Sequence, residues 1–245
     1  MMKLLLTSSG ISNPSIHRAL VDLLGKPIPE SNALIVPSGI YPYSVGAAMA
    51  YKAVVGTAAT PLCELGWRSL GLLELTALPS IDRNAWVPAV QETDALLVWG
   101  GDPLFLSYWM DKSGLSDLLS SLQRPIVYVG VSAGSLVAAP TFAESYTKPY
   151  QGTGNPLTRE DMTFPGGDCE VTMNFITANG AGFTDFALIV HANHEDRPDA
   201  SFANAPKWAA KLPVPVYAID DETAIKVIGD SVEVVSEGQW RLFTA

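Results

Sequence analysis

Short apolar runs alternate along this chain with stretches whose apolar residues recur at helical spacing. Continuous apolar runs are typical of strands that are buried on both faces. The clearest runs are Lys3–Thr7, Ala33–Val36, Asp94–Trp99, Pro125–Gly130 and Phe186–Val190. The first helix is predicted to begin at Asn13 as a cap with Pro14 in its first turn. The alternation predicts an α/β fold built on a doubly wound, mostly parallel sheet.

Other parts of the chain follow this alternation less clearly. Pro61–Leu65 and Leu72–Leu75 predict two weaker strands. Thr141–Ala181 is rich in Gly, Pro, Thr and Asn, and it predicts a long excursion with a hairpin around Cys169–Thr177. Three short β-like runs follow, at Pro215–Ile219, Ala224–Ile228 and Val232–Val235. Because no linker or repeat is visible, we expect residues 1–245 to form a single domain.

Composition narrows the classes of partner. Hydrophobic residues make up 48% of the 245 positions, which is enough for a substantial core. The net charge of −10 repels phosphate backbones, so nucleic acid is not an expected partner. The two cysteines, Cys63 and Cys169, form no pattern with metal-ligand spacing, and we expect neither a metal nor a cofactor.

The N-terminus does not have the pattern of a signal peptide. Leu4–Leu6 is followed at once by Thr7, whereas a signal sequence needs about 7–15 apolar residues. No run approaches the roughly 18 apolar residues of a membrane span. We therefore expect a soluble cytoplasmic protein without a membrane partner.

The segment Gly130–Gly134 reads Gly-Val-Ser-Ala-Gly. A Gly-x-Ser-x-Gly pattern is common by chance, but here a predicted strand enters it and a predicted helix over Ser135–Ala139 leaves it. This is the context of a nucleophile elbow, in which the turn projects the serine hydroxyl above the sheet edge. The context predicts Ser132 as a nucleophile rather than part of an inert glycine-rich turn.

A second glycine-rich turn follows the strand that ends at Trp99. In a parallel sheet it lies at the same carboxyl edge as the elbow, where Gly100 and Gly101 would let backbone approach a reacting carbonyl. The N–H groups of Gly101 and Ala133 are therefore candidate oxyanion donors. A simpler role for this turn is that Asp102 caps a helix, and both can hold.

A serine nucleophile needs a base, and the chain contains three histidines. His17 falls inside the first predicted helix, whereas His191 directly follows the strand Phe186–Val190 at the expected edge. We favour His191 as the base and leave His194 as a substrate-binding or solvent-facing residue. Spacing does not select the acid. The candidates are Glu144, Asp168, Glu170, Asp185, Glu195, Asp220, Asp221 and Glu222.

These motifs together resemble the peptidase E (alpha-aspartyl dipeptidase) and cyanophycinase family of serine peptidases. The likeness runs from Leu4 to about Val227 and is most specific in Trp99–Pro103, Tyr128–Ser135 and Asp185–Glu195. The resemblance implies a flavodoxin-like fold related to class I glutamine amidotransferase domains. It also implies exopeptidase chemistry without a metal, and a homodimer.

The resemblance also assigns roles. It implies Ser132 as nucleophile, His191 as base, and Gly101 with Ala133 as oxyanion donors. Peptidase E places its acid between the nucleophile and the histidine, which points to Asp168, with Glu170 as the alternative. The arginine that grips an aspartyl side chain in that family corresponds to Arg197, although the surroundings here, His194–Pro198, differ from the family's Gly-Glu-Thr-Arg.

The sequence thus predicts a serine peptidase that cleaves short peptides, with N-terminal aspartate as one candidate specificity. Two alternatives use the same residues differently. One is an esterase or amidase on the same triad, and the other is a non-catalytic, amidotransferase-like ligand-binding module.

Overall fold

The computed structural model describes residues 2–147, 154–166 and 169–244. Within these ranges strands and helices alternate over the first half of the chain, and strands dominate the second half. The strands are β1 Lys3–Thr7, β2 Asn32–Val36, β3 Ser69–Leu72, β4 Ala95–Val98, β5 Val127–Val131, β6 Thr141–Tyr146, β7 Thr158–Gly166, β8 Cys169–Asn179, β9 Ala187–Ile189, β10 Val216–Ile219, β11 Thr223–Ile228, β12 Ser231–Ser236 and β13 Trp240–Phe243. The helices are α1 Pro14–Leu24, α2 Gly46–Val54, α3 Arg83–Glu92, α4 Pro103–Lys112, α5 Leu115–Ser121, α6 Ala133–Leu136 and α7 Ala205–Ala209.

A seven-stranded sheet in the order β12-β11-β1-β5-β4-β2-β3 forms the centre of the molecule. The five adjacent strands β1-β5-β4-β2-β3 are parallel to one another. Strands β11 and β12 complete the sheet at the β1 edge and pair antiparallel. Every residue of β4 and β5 is buried, because helices cover both faces of the sheet. The predicted mostly parallel α/β fold is confirmed, and the carboxyl ends of β4 and β5 lie side by side.

Helix α1 shows how local signals fix an element. The Asn13 side chain accepts a hydrogen bond from Ile16 N at 3.0 Å, and Pro14 occupies the first helical position. Gly25 ends the helix in a left-handed conformation with φ of 70°, which costs glycine little. Leu20 and Leu23, both fully buried, are on the face that packs against the sheet.

The segment after the elbow differs from the sequence prediction. Instead of an irregular excursion with one hairpin, the described parts of Thr141–Ala181 contain a three-stranded antiparallel sheet in the order β6-β8-β7. Threonine favours strands as well as turns, and Phe164 and Phe175 are fully buried in this segment. The composition of this segment did not predict the sheet, because threonine and asparagine are also typical of loops.

Other elements also differ from the prediction. Pro61–Leu65 forms no strand, and α5 and β13 were not predicted. The strand before His191 is β9, which belongs to a separate three-stranded sheet in the order β13-β10-β9 rather than to the central sheet. No helix in the described ranges is long and apolar enough to cross a bilayer.

Candidate active site

Ser132 lies between the end of β5 and the start of α6, in a strained turn. Its φ of 52° and ψ of −116° are rare for a residue with a side chain. Ser132 N donates to Thr7 O at 3.0 Å, which ties the turn to β1. A Cβ on Gly134 would lie 2.0 Å from Val98 O, so only glycine lets α6 approach β4 this closely. Strand, turn and helix occur as predicted, although α6 begins earlier and is shorter than expected.

His191 extends from the end of β9 to the serine. Its Nε2 lies 2.9 Å from Ser132 Oγ. The residue has φ of 56°, again a left-handed conformation, and its backbone N–H donates to Ser8 Oγ at 3.1 Å. Ser8 follows β1 and donates in turn to Ile219 O at 3.2 Å. Although β9 lies outside the central sheet, Ser8 connects its end to the central strand β1.

Asp221 lies on the other side of the imidazole. Its Oδ1 is 2.6 Å from His191 Nδ1. Burial would raise the pKa of Asp221, but the hydrogen bond and charge of His191 lower it below its ordinary value. An ionised carboxylate only accepts, so Nδ1 carries the proton and Nε2 is left to accept from Ser132 Oγ–H. The three side chains therefore form one hydrogen-bonded line with the polarity that nucleophile activation requires.

The carboxylate beside His191 Nδ1 is Asp221, whereas the family resemblance pointed to Asp168. Asp168 lies outside the described residues. Glu170 lies near the start of β8, opposite Pro165, and is exposed, whereas Asp221 holds the imidazole. A signal was present in the sequence: Asp221 follows a predicted strand closely, as His191 does. Ala192 N donates to Ile219 O at 3.0 Å, which brings the two strand ends together.

The two predicted oxyanion donors belong to the turn after β4 and to the start of α6. Gly101 has φ of 125°, and a Cβ there would lie 2.2 Å from Gly39 O, so the turn after β4 requires glycine. Ala133 is the first residue of α6, where N–H groups have no intrahelical acceptor. Neither Gly101 N nor Ala133 N donates a hydrogen bond to any described residue. Asp102 also fulfils its predicted capping role, since its Oδ1 accepts from Phe105 N at 2.8 Å.

A cavity of about 520 Å³ opens beside the serine. Ser132, His191, Asp221 and Gly101 line it, so the hydrogen-bonded line and one of the two candidate oxyanion donors border the same space. The predicted substrate-binding candidates His194 and Arg197 line it as well. This volume is typical of a site for a small ligand.

The sequence model of peptidase family S51 matches residues 4–235. The chain belongs to peptidase family S51. It is therefore a serine-type peptidase, a hydrolase of the peptidase E type, as the sequence predicted. No curated protein matches this chain.

Two solved structures resemble the fold of this S51 member. One is a candidate peptidase E protein from Listeria monocytogenes EGD-e, with 17% identity, a TM-score of 0.64, and coverage of 97% of this chain and 100% of that one. The other is a peptidase from an acI-B1 Actinobacterium, with 18% identity, a TM-score of 0.61, and coverage of 100% of this chain and 95% of that one. At these identities the likeness concerns the fold.

His194 and Arg197 occupy different electrostatic settings in this S51 cavity. The His194 ring lies 6.2 Å from that of His191, and its Nε2 is 3.9 Å from Asp221 Oδ2. Its side chain is 41% exposed, which places it at the rim. Arg197 Nη2 lies 2.6 Å from Glu144 Oε1 and 3.7 Å from Asp199 Oδ2. The guanidinium is therefore already paired with carboxylates of the protein.

Proposed function

We propose that this S51 peptidase hydrolyses short peptides through an acyl-enzyme on Ser132, with His191 as general base and Asp221 as the acid that orients it. The single observation that carries the proposal is the continuous line of hydrogen bonds, 2.9 Å from Ser132 Oγ to His191 Nε2 and 2.6 Å from Nδ1 to Asp221 Oδ1. The line ends in a cavity large enough for a substrate.

Acylation begins when His191 Nε2 takes the Ser132 hydroxyl proton as Oγ bonds to the substrate carbonyl carbon. The carbonyl π electrons move to its oxygen, and Gly101 N–H and Ala133 N–H donate to that oxyanion. The C–N bond then breaks, and Nε2–H protonates the leaving amine. Asp221 remains ionised throughout, because its role is to stabilise the imidazolium and hold its orientation.

Deacylation repeats these steps with water. His191 Nε2 removes a proton from a water molecule as its oxygen bonds to the acyl carbon. The second oxyanion uses the same two N–H groups, and its collapse breaks the bond to Oγ, which recovers the proton from Nε2. A cavity of about 520 Å³ favours a short peptide over a folded protein chain.

A fluorophosphonate probe, which reacts with activated serines, tests the nucleophile directly. We expect labelling of the wild type at Ser132 and no labelling of Ser132→Ala. Ser120→Ala is a suitable control, because Ser120 is exposed on α5 and its hydroxyl donates to Ser116 O within the same helix. Labelling that survives Ser132→Ala would contradict the proposal.

A dipeptide library tests the reaction class. We expect release of free amino acids by the wild type and by Ser120→Ala, with none above background for Ser132→Ala. Simple esters provide the second arm, because the same triad would also serve an esterase. Turnover of esters without turnover of any dipeptide would contradict peptide hydrolysis while leaving the nucleophile in place.

A further inference from the structure

Arg197 is enclosed by acidic side chains. Its Nη2 lies 2.6 Å from Glu144 Oε1, 3.7 Å from Asp199 Oδ2 and 3.5 Å from Ser145 Oγ. Ser145 Oγ donates in turn to Asp199, and the guanidinium lies 6.0 Å from the centre of the Trp208 ring. The charge of Glu144, and then that of Asp199, holds the pKa of Arg197 above its ordinary value. The positive charge of Arg197 is thus committed to the protein's own carboxylates.

The cavity beside Ser132 consequently has an excess of negative charge. Its lining includes four carboxylates, Glu144, Asp196, Asp199 and Asp221, but Arg197 is the one lysine or arginine among the described lining residues. A substrate carboxylate that entered would meet no unpaired lysine or arginine in this lining, and desolvating it would be costly. The net charge of −10 on the whole chain adds to this repulsion.

The remaining wall of the cavity suits an aliphatic stem. Ile40 and Met173 line it, and each is less than 10% exposed. Lysine and arginine side chains combine an apolar stem with a cationic end, so they can contact both kinds of wall. Met173 is also a flexible side chain that adapts to ligands of irregular shape.

We propose that Glu144 determines the specificity of this site: by pairing with Arg197 it removes the cation that would bind an acidic group, and the cavity therefore accepts a basic side chain on the acyl side of the scissile bond. The inference rests on the proposed function for the position of that bond. It runs opposite to the aspartyl preference that the family resemblance suggests.

Binding to the Ser132→Ala protein tests the inference without requiring hydrolysis. Three dipeptides that differ only in the first side chain, Lys-Leu, Leu-Leu and Asp-Leu, are titrated by isothermal calorimetry. We expect Lys-Leu to bind at least about tenfold more tightly than Asp-Leu. Raising the salt from about 0.05 M to about 0.5 M should reduce that ratio, because screening weakens charge selectivity.

The double variant Ser132→Ala/Glu144→Gln tests the residue itself. Without the charge of Glu144, Arg197 keeps only the more distant Asp199 of its two carboxylate partners, so the Lys-Leu to Asp-Leu affinity ratio should fall by about tenfold or more. Glu233→Gln in the same background is the matched control, because Glu233 of β12 pairs with Lys226 of β11 and neither residue lines the cavity. Thermal unfolding of both double variants establishes that they are folded. The salt series uses only Ser132→Ala, so it tests charge selectivity even if a double variant does not fold.

The outcomes separate the two proposals. Equal affinities in Ser132→Ala, including no measurable binding of any of the three dipeptides, would overturn the specificity assignment, as would tighter binding of Asp-Leu. A ratio unchanged by Glu144→Gln would also overturn it. If the fluorophosphonate probe does not label the wild type, the proposed function is contradicted, whatever the dipeptide affinities are.

Discussion

Two hydrogen-bonded pairs of ionisable side chains line the cavity beside Ser132, and they differ in how many of their polar atoms remain available. In the first, Asp221 holds one nitrogen of His191 while the other nitrogen reaches the Ser132 hydroxyl. In the second, Arg197 is enclosed by Glu144 and Asp199. The first pair leaves a proton acceptor facing the cavity, whereas the second satisfies its charges internally.

Burial separates the pairs further. The two bases are similarly exposed, His191 at 22% and Arg197 at 26%, but the Asp221 side chain is 30% exposed whereas those of Glu144 and Asp199 are 10% and 2% exposed. A partly open pair can change partners when a substrate arrives, but breaking a buried pair leaves an uncompensated charge. We therefore expect variants of the first pair to lose activity and variants of the second to lose stability.

The largest expected effect comes from Asp221→Asn. The amide keeps the shape of the carboxylate but no longer selects the tautomer in which Nε2 accepts the serine proton. We expect kcat to fall by roughly 10⁴-fold with little change in the unfolding midpoint. Hydrolysis of the best dipeptide, followed at saturating substrate, measures it.

Asp168→Asn and Glu170→Gln are the controls for that loss, since the family resemblance points to these carboxylates. Both should keep kcat within about threefold of the wild type, a difference worth less than 1 kcal/mol. An Asp168→Asn protein that is inactive beside an active Asp221→Asn protein would reverse the assignment of the acid.

The second effect concerns the enclosed pair. Arg197→Gln leaves the buried carboxylates of Glu144 and Asp199 without their cation, and we expect a loss of about 3 kcal/mol in the free energy of unfolding. Urea unfolding measures it. Lys226→Gln breaks a pair whose carboxylate, Glu233, is 61% exposed, so it should cost less than about 1 kcal/mol.

A double variant sharpens the interpretation of Arg197→Gln. Adding Glu144→Gln removes one of the unpaired charges, so the double variant should be more stable than Arg197→Gln alone. If Arg197→Gln and Lys226→Gln unfold at the same urea concentration, the Arg197–Glu144 pair contributes no more to stability than the Lys226–Glu233 pair, contrary to the prediction.

The third effect concerns the backbone on the open side of the cavity. In Gly101→Ala, the new Cβ would lie 2.2 Å from Gly39 O at a φ of 125°. Gly66 also has positive φ, 82°, but a Cβ there would meet nothing within 4 Å. Gly101→Ala should therefore destabilise the protein by about 2 kcal/mol more than Gly66→Ala in urea unfolding. Equal losses would mean that the turn after β4 relaxes freely.

Local signals in the sequence were sufficient for much of this architecture. Asn13 and Pro14 fix the start of α1, and continuous apolar runs identify the buried parallel strands. The elbow could be predicted because strand, turn and helix are contiguous, so all of its information lies within about ten residues. His191 could be placed for the same reason, since it directly follows a buried strand.

The acid and the second sheet depend on pairings between distant segments. Asp221 reaches His191 because β9 and β10 pair in parallel, and Ser8 connects that pair to the end of β1. Nothing in the spacing of the carboxylates encodes that register. Arg197 likewise meets Glu144 across 53 positions of chain, so neither the loss of its free charge nor the acidity of the cavity was predictable.

The smallest effect concerns Asp102, a buried carboxylate near the enclosed pair. Burial raises the pKa of Asp102 to about 6 from the ordinary 3.8, helped by the charge of Glu144 and opposed by the capping hydrogen bond from Phe105 N. The folded protein thus holds this proton more tightly than the unfolded chain does. The stability that the carboxyl contributes is fully present below about pH 4 and is lost as the pH rises through about 6.

Asp102→Asn removes that loss but keeps a side chain that caps helices as well as aspartate does. The variant should therefore gain stability relative to the wild type between pH 5 and pH 8, by on the order of 1 kcal/mol, in urea unfolding at each pH. Asp82→Asn is the matched control, because Asp82 caps α3 from an exposed position. If the free energies of unfolding of both variants run parallel to that of the wild type across this range, burial beside Glu144 does not set the titration of Asp102. The excess negative charge around Glu144 and Asp199 must then be smaller than their pairing with Arg197 implies.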